Sequence, residues 1–224
     1  MKREEYEHVK DMTYLEYCGY LHEKYGIGRS DYMTPAFNKV QKCSRTAEGL
    51  YAHHLYENMV PSLSDKEMAS KFPFELQKAE NIVYCNLLEH LLLHVKIFQD
   101  SEYELKYIVG FGGCIDYFIP ELNDVYSGWV SSQHWRKICH SKILGSEQYQ
   151  VYLDIVKQLM TEWYKTEFGD GSSSNNRRYS VRYDTSFITT SMNLARRGRK
   201  SQLHKVYNDL INIAVEATKQ HQVK

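Results

Sequence analysis

The chain has 224 residues with 28 basic and 28 acidic side chains, so its formal net charge is zero. Apolar residues make up 42% and only 4 prolines interrupt them, which is enough for a core and excludes a fibrous or disordered chain. No uncharged apolar run approaches the ~20 residues of a bilayer span, and Lys2 and Arg3 are followed by Glu4 and Glu5 rather than by the apolar stretch of a signal peptide. A cytoplasmic protein without a membrane segment is expected.

In chain order, Tyr6, Val9, Met12 or Tyr14, Tyr17 and Leu21 recur at helical spacing and predict one long amphipathic helix over residues 2–25, ended by Gly26 and Gly28. A polar stretch containing Pro35 runs to about Thr46. Gly49-Leu50-Tyr51-Ala52 then reads as a short strand that ends at His53-His54. Ser64-Asp65-Lys66-Glu67 has capping-box form and starts a short helix that stops before Pro73. Ile82-Val83-Tyr84-Cys85 is β-branched and aromatic, hence a second strand. From Asn86 the run Leu-Leu-Glu-His-Leu-Leu-Leu-His-Val predicts a helix buried around most of its circumference. Tyr103–Phe118 is apolar and glycine-punctuated, one helix or two short elements, and Glu147–Phe168 is a further helix. Gly169–Arg178 has the composition of a polar hinge, and a last helix is expected at about Gln202–Lys219.

Charge is balanced overall but not along the chain. From Gly171 onward ten Lys or Arg face only Asp184, Asp209 and Glu216. Arg177, Arg178, Arg196, Arg197, Arg199 and Lys200 form the densest part, a pattern suited to a polyanion because phosphate contacts dominate nucleic-acid affinity. Cys18, Cys43, Cys85, Cys114 and Cys139 are odd in number and contain no C-x-x-C pair, which excludes a zinc ribbon or a thioredoxin-type motif and fits buried, reduced thiols.

Histidine carries the chemistry. Of ten, His53, His54, His90 and His94 fall in one 42-residue stretch. His90 and His94 are one turn apart on a predicted helix and leave the same face, so both can bind one metal ion. A strand ending in paired His can deliver a third nitrogen. Neighbouring strand side chains point to opposite faces, so if His53 faces the ion His54 does not.

The segments Gly49-Leu50-Tyr51-Ala52-His53-His54, Glu80-Asn81-Ile82-Val83-Tyr84 and Glu89-His90-Leu91-Leu92-Leu93-His94 together resemble the HNH nucleases of the ββα-metal class. They look most like the colicin-type subgroup, whose H-H…N…H-x-x-x-H pattern has the same separations of nine and thirteen residues from Asn81 to His90 and His94. The resemblance covers residues 45–98. It implies His53, His90 and His94 as metal ligands, His54 as general base towards the attacking water, and Asn81 as a brace for the loop after the first strand. It also implies DNA as the partner, products with 5′-phosphate and 3′-hydroxyl ends, and a homodimer or two successive nicks for double-strand cleavage. Two features depart from the family. Leu55–Glu80 is about twice the usual interval, and His53 stands where many members have Asp. Three nitrogen donors favour Zn²⁺, Ni²⁺, Co²⁺ or Mn²⁺ over Mg²⁺ as the one divalent ion per site.

The expected fold is therefore α+β and mainly helical, with a small ββα-metal element. Its regions are an N-terminal helical part (1–44), the nuclease motif (45–98), a helical part (99–170) and a basic C-terminal part (171–224). Glu57, Glu80 and Glu89 are candidates to hydrogen-bond the metal-bound rings. His134 and His140, beside Trp135, read as ordinary surface residues of a helix, and Tyr149, Tyr152 and Tyr164 as core. The alternative functions are a structural zinc clip in a binding protein without turnover, and a nuclease directed at RNA.

Overall fold

The structure, a computed structural model, describes residues 1–168 and, further on, residues 205, 206, 208–213 and 216. The expected hinge and the six basic residues Arg177, Arg178, Arg196, Arg197, Arg199 and Lys200 lie outside the described residues.

The N-terminal segment forms two helices rather than one, α1 (Arg3–Val9) and α2 (Tyr14–Tyr25). The break is chemical. Thr13 and Glu16 make a reciprocal capping box that starts a new helix. The Lys96 ammonium, delivered from a distant helix, takes the carbonyls of Lys10 and Met12, which a continuous helix would have used internally. Gly26 ends α2 as expected, with φ +77°.

The strands β1 (Tyr51–His54) and β2 (Ile82–Cys85) form an antiparallel pair in which His53 lies opposite Val83 and His54 opposite Ile82. β1 starts later than its apolar letters suggest, because Gly49 turns at φ +82° and the Leu50 N–H returns to the Arg45 carbonyl. Both histidines are in the strand, which ends at His54 as expected. The long connection contains α3 (Lys66–Ala69), capped by Asp65 rather than Ser64.

α4 (Leu87–Asp100) follows β2 after a single residue, Asn86, whose side chain caps it in a box with Glu89. α5 (Tyr103–Leu105) continues as one helical segment into α6 (Ile119–Tyr126), through π-helical turns at Lys106–Phe111 and Cys114–Phe118. This segment lies on α4 at closest range where it has glycine. A side chain at Gly110 would strike the Phe98 backbone, and one at Gly113 the His94 ring. α7 (His134–Ser141) and α8 (Ser146–Phe168) complete the long described stretch, and the described positions of the expected last helix are helical.

One apolar core joins these elements. Tyr17 and Leu21 of α2, Val83 of β2, Leu88 and Leu92 of α4, Leu122 of α6 and Ile155 and Leu159 of α8 belong to a single cluster. The hairpin and α4 are therefore set into the helices on both sides of them in sequence. Tyr149, Tyr152 and Tyr164 are in that core, and all five cysteines are buried and free. Among the described residues no helix is long and apolar enough to cross a membrane.

Candidate metal centre

Because side chains alternate along a strand, His53 and His54 enter different surroundings. His53 turns toward α4, where His90 and His94 leave the same face. Ligand nitrogens of the three rings lie within 4.8 Å of one another. His53 Nδ1 is 3.1 Å from His90 Nε2, and the three ring centroids are 5.0 to 5.3 Å apart. The buried cluster of His53, His90 and His94 could hold a metal ion.

Hydrogen bonds behind the rings decide where their protons sit. The Tyr14 hydroxyl lies 2.9 Å from His53 Nε2 and 3.2 and 3.0 Å from the carbonyls of His54 and Leu55. Carbonyls only accept, so in the tautomer that places the hydroxyl proton on one of them, His53 Nε2–H donates to the tyrosine oxygen. That leaves the Nδ1 lone pair of His53 facing the cluster. His94 Nδ1–H donates to the Val109 carbonyl at 2.8 Å, leaving its Nε2 lone pair. The Val109 carbonyl comes from the π-helical segment, and the same segment lays Phe118 over His90 and His94 at 4.4 and 4.7 Å. His90 Nδ1 is buried without a partner.

A carboxylate joins the nitrogens. Glu57 Oε2 is 3.1 Å from His53 Nδ1 and 3.7 Å from His94 Nε2. Four ligands in a tetrahedron at zinc-like bond lengths would lie about 3.3 Å from one another, and the observed separations straddle that value. With these tautomers, the His53 and His94 lone pairs and the Glu57 carboxylate converge, an arrangement suited to a cation. Burial pushes His90 well below the ordinary histidine range and His94 down to about 4, so both rings are neutral at pH 7 and able to ligate. Burial also pushes the Glu57 carboxyl up, but against protonated rings, with His53 Nδ1–H donating to it, the attraction of His53, His94 and His54 more than offsets burial and holds it well below the usual carboxylate range.

His54 faces the other way. Its ring meets Tyr32 edge-on at 4.5 Å, and its Nε2 is 3.3 Å from Gln77 Oε1. The Gln77 amide is itself oriented by donating to the Leu63 carbonyl at 3.1 Å. An amide oxygen accepts, so His54 is protonated at Nε2 and keeps its lone pair on Nδ1. Desolvation by burial brings its pKa down to about 4.

The Asn81 side chain holds the connection between β1 and β2 by a bond to backbone. Its Nδ2 donates to the Glu75 carbonyl at 2.7 Å, in the turn that carries Gln77. Its backbone carbonyl, not its side chain, holds the Leu55 N–H after His54. Of the three acidic candidates only Glu57 reaches the cluster. Glu80 is exposed, and Glu89 caps α4 while pairing with Lys24 and Tyr25. His140 is not a surface residue but is buried against Glu121 at 2.7 Å, while His134 is exposed.

Tyr14, Gln77, Val109 and Phe118 escaped the sequence reading because no spacing links them to the histidines. Gly113 left a trace in the glycine-rich run Gly110-Phe111-Gly112-Gly113, since glycine often marks close backbone approach. Along the outer side of β1, Tyr32, Lys39, Arg45, Tyr51 and Trp135 line a groove of about 520 Å³. Tyr51 touches both the His90 ring, at 6.0 Å between centroids, and Trp135, at 6.3 Å. No family model, curated protein or solved structure matches the chain.

Proposed function

We propose that the chain is a metal-dependent hydrolase of nucleic-acid phosphodiester bonds, an endonuclease acting on DNA in the cytoplasm. The observation that supports this reading is the convergence of three imidazoles from β1 and α4, in the strand–strand–helix order of the HNH nucleases the sequence resembles. His53, His90 and His94 would hold one divalent ion, and their nitrogen donors favour Zn²⁺, Ni²⁺, Co²⁺ or Mn²⁺ over Mg²⁺. When bound, such an ion supplies positive charge to a scissile phosphate and to its leaving oxygen.

The chain's own residues do the rest. His54 accepts the proton of the attacking water at Nδ1, the nitrogen that its bond to Gln77 leaves unprotonated. Asn81 fixes the turn that presents Gln77. Tyr51 and Trp135 offer faces on which bases stack, and Lys39 adds charge beside them. Arg177, Arg178, Arg196, Arg197, Arg199 and Lys200 add phosphate contacts.

Cleavage assays on supercoiled DNA, single-stranded DNA and RNA, with and without chelator and paired with elemental analysis, test this. Chelator-sensitive cutting of DNA with one transition metal ion per chain is expected. A metal-free protein in which His54→Ala behaves like the wild type would refute it.

One observation favours a second reading. Glu57 stands where a fourth ligand would, beside the buried rings of His53 and His94. A structural metal clip without turnover would look similar. In that case chelation would unfold the protein, and no nucleic acid would be cut in any metal.

A further inference from the structure

Two buried carboxylates beside the hairpin and α4 are treated very differently. Glu89 has no exposed surface, and each of its oxygens is satisfied. Oε1 accepts from Lys24 Nζ at 2.7 Å and from the Tyr25 hydroxyl at 3.0 Å, and Oε2 accepts from the Asn86 N–H at 2.7 Å. Glu57 is buried to a side-chain exposure of 14%, yet among the described residues no Lys or Arg pairs with it. Among the described residues its ion-pair contacts are the ring nitrogens His53 Nδ1, at 3.1 Å, and His94 Nε2, at 3.7 Å, and the bond from His94 Nδ1–H to Val109 leaves the second an acceptor. The carboxylate is thus set among ring nitrogens of ligand type rather than against a fixed cation.

The backbone puts it there. The Leu55 N–H is held by the Asn81 carbonyl, and the Glu57 N–H folds back onto the His54 carbonyl at 3.1 Å. This tight turn at the end of β1 returns residue 57 to the His53 side of the strand, four residues after the first ring.

We infer that Glu57 is the fourth donor of the centre, holding its remaining position at rest and giving it up to the incoming phosphate. This deepens the hydrolase reading, on which it rests, by assigning how substrate gains access. The exchange is a ligand swap: the bond from the carboxylate oxygen to the ion breaks, a phosphate oxygen takes the position, and no electrons are transferred. It also accounts for a site that is closed at rest and yet belongs to a motif that needs one open position.

Cobalt(II) titration of metal-free protein, followed by visible absorption, tests the assignment in the full chain. The wild type should take up one cobalt with the intense bands of a four-coordinate ion. Glu57→Gln, nearly isosteric, should bind cobalt at least ~10-fold more weakly with a changed band pattern, and its cobalt spectrum should respond to inorganic phosphate at lower concentration than the wild type's. Equal affinity, bands and phosphate response in the two proteins would overturn the inference. Matching melting temperatures of the metal-free proteins control for folding, with Glu57→Ala as a second variant. If Glu57→Gln shifts the spectrum but no nucleic acid is ever cut, the fourth donor stands and the hydrolase reading falls. If the wild type takes up no cobalt, both fall.

Discussion

The two faces of β1 hold adjacent histidines in opposite states. On the His54 side every partner is complementary: Gln77 accepts the ring proton, Leu63 orients Gln77, and Tyr32 covers the ring. On the His53 side three ring nitrogens and the Glu57 carboxylate converge on one point. The first pocket is complete as a neutral protein environment. The second gathers ligand atoms that could hold a positive ion, so burial alone does not tell a structural histidine from a ligand. The direction of the hydrogen bonds does.

The sharpest way to break this contrast is to remove a ring from the His53 side. His90→Ala or His94→Ala should abolish metal uptake and cleavage together. Chelating the wild type should lower its stability by about 3 kcal/mol if the ion is present at ~100 times its dissociation constant, measured by urea unfolding. Retained metal in either variant would remove the centre from α4. On the complementary side His54→Ala should leave metal content unchanged and slow cleavage by roughly 10² to 10⁴-fold. Wild-type rates for that variant would reduce His54 to packing.

Smaller changes should act through the supports. Tyr14→Phe removes the acceptor of His53 Nε2–H, and Gly113→Ala pushes a methyl into the His94 ring. Each should weaken metal binding by about 10- to 100-fold with all ligands still present, in a competition titration against a chromophoric chelator. Equal affinities would show that the ring orientations are set elsewhere.

A further test is in pH. His54 and His94 are held near 4 in the folded protein, below the unfolded value of about 6.5, so the unfolded chain binds more protons between those limits. Stability of the metal-free protein should therefore fall as pH drops from about 6.5 toward 4, by up to ~1.4 kcal/mol per pH unit for each ring. His54→Gln should lessen that slope, and an unchanged slope would mean that His54 is solvated.

Local elements were legible where their signals are local. Ile82–Cys85 and the Asn86-capped helix were placed by β-branched residues and by a capping pair three residues apart, both properties of contiguous sequence. The break between α1 and α2 was not, because Lys96 makes it from a helix more than eighty residues away. The late start of β1 depended on one backbone angle at Gly49.

By itself the sequence determined a hairpin-and-helix unit with four histidines spaced so that three of them converge on one point, because strand alternation and helical pitch are fixed by backbone geometry. Only the tertiary structure decided which lone pairs face that point, through Tyr14 from α2 and Val109 from the π-helical segment. It alone selected Glu57 over Glu80 and Glu89 as the acidic neighbour, and set the Glu75 carbonyl as the point the Asn81 side chain holds. Proton positions and carboxylate partners depend on atoms brought together from distant segments, and spacing along a chain carries no record of them.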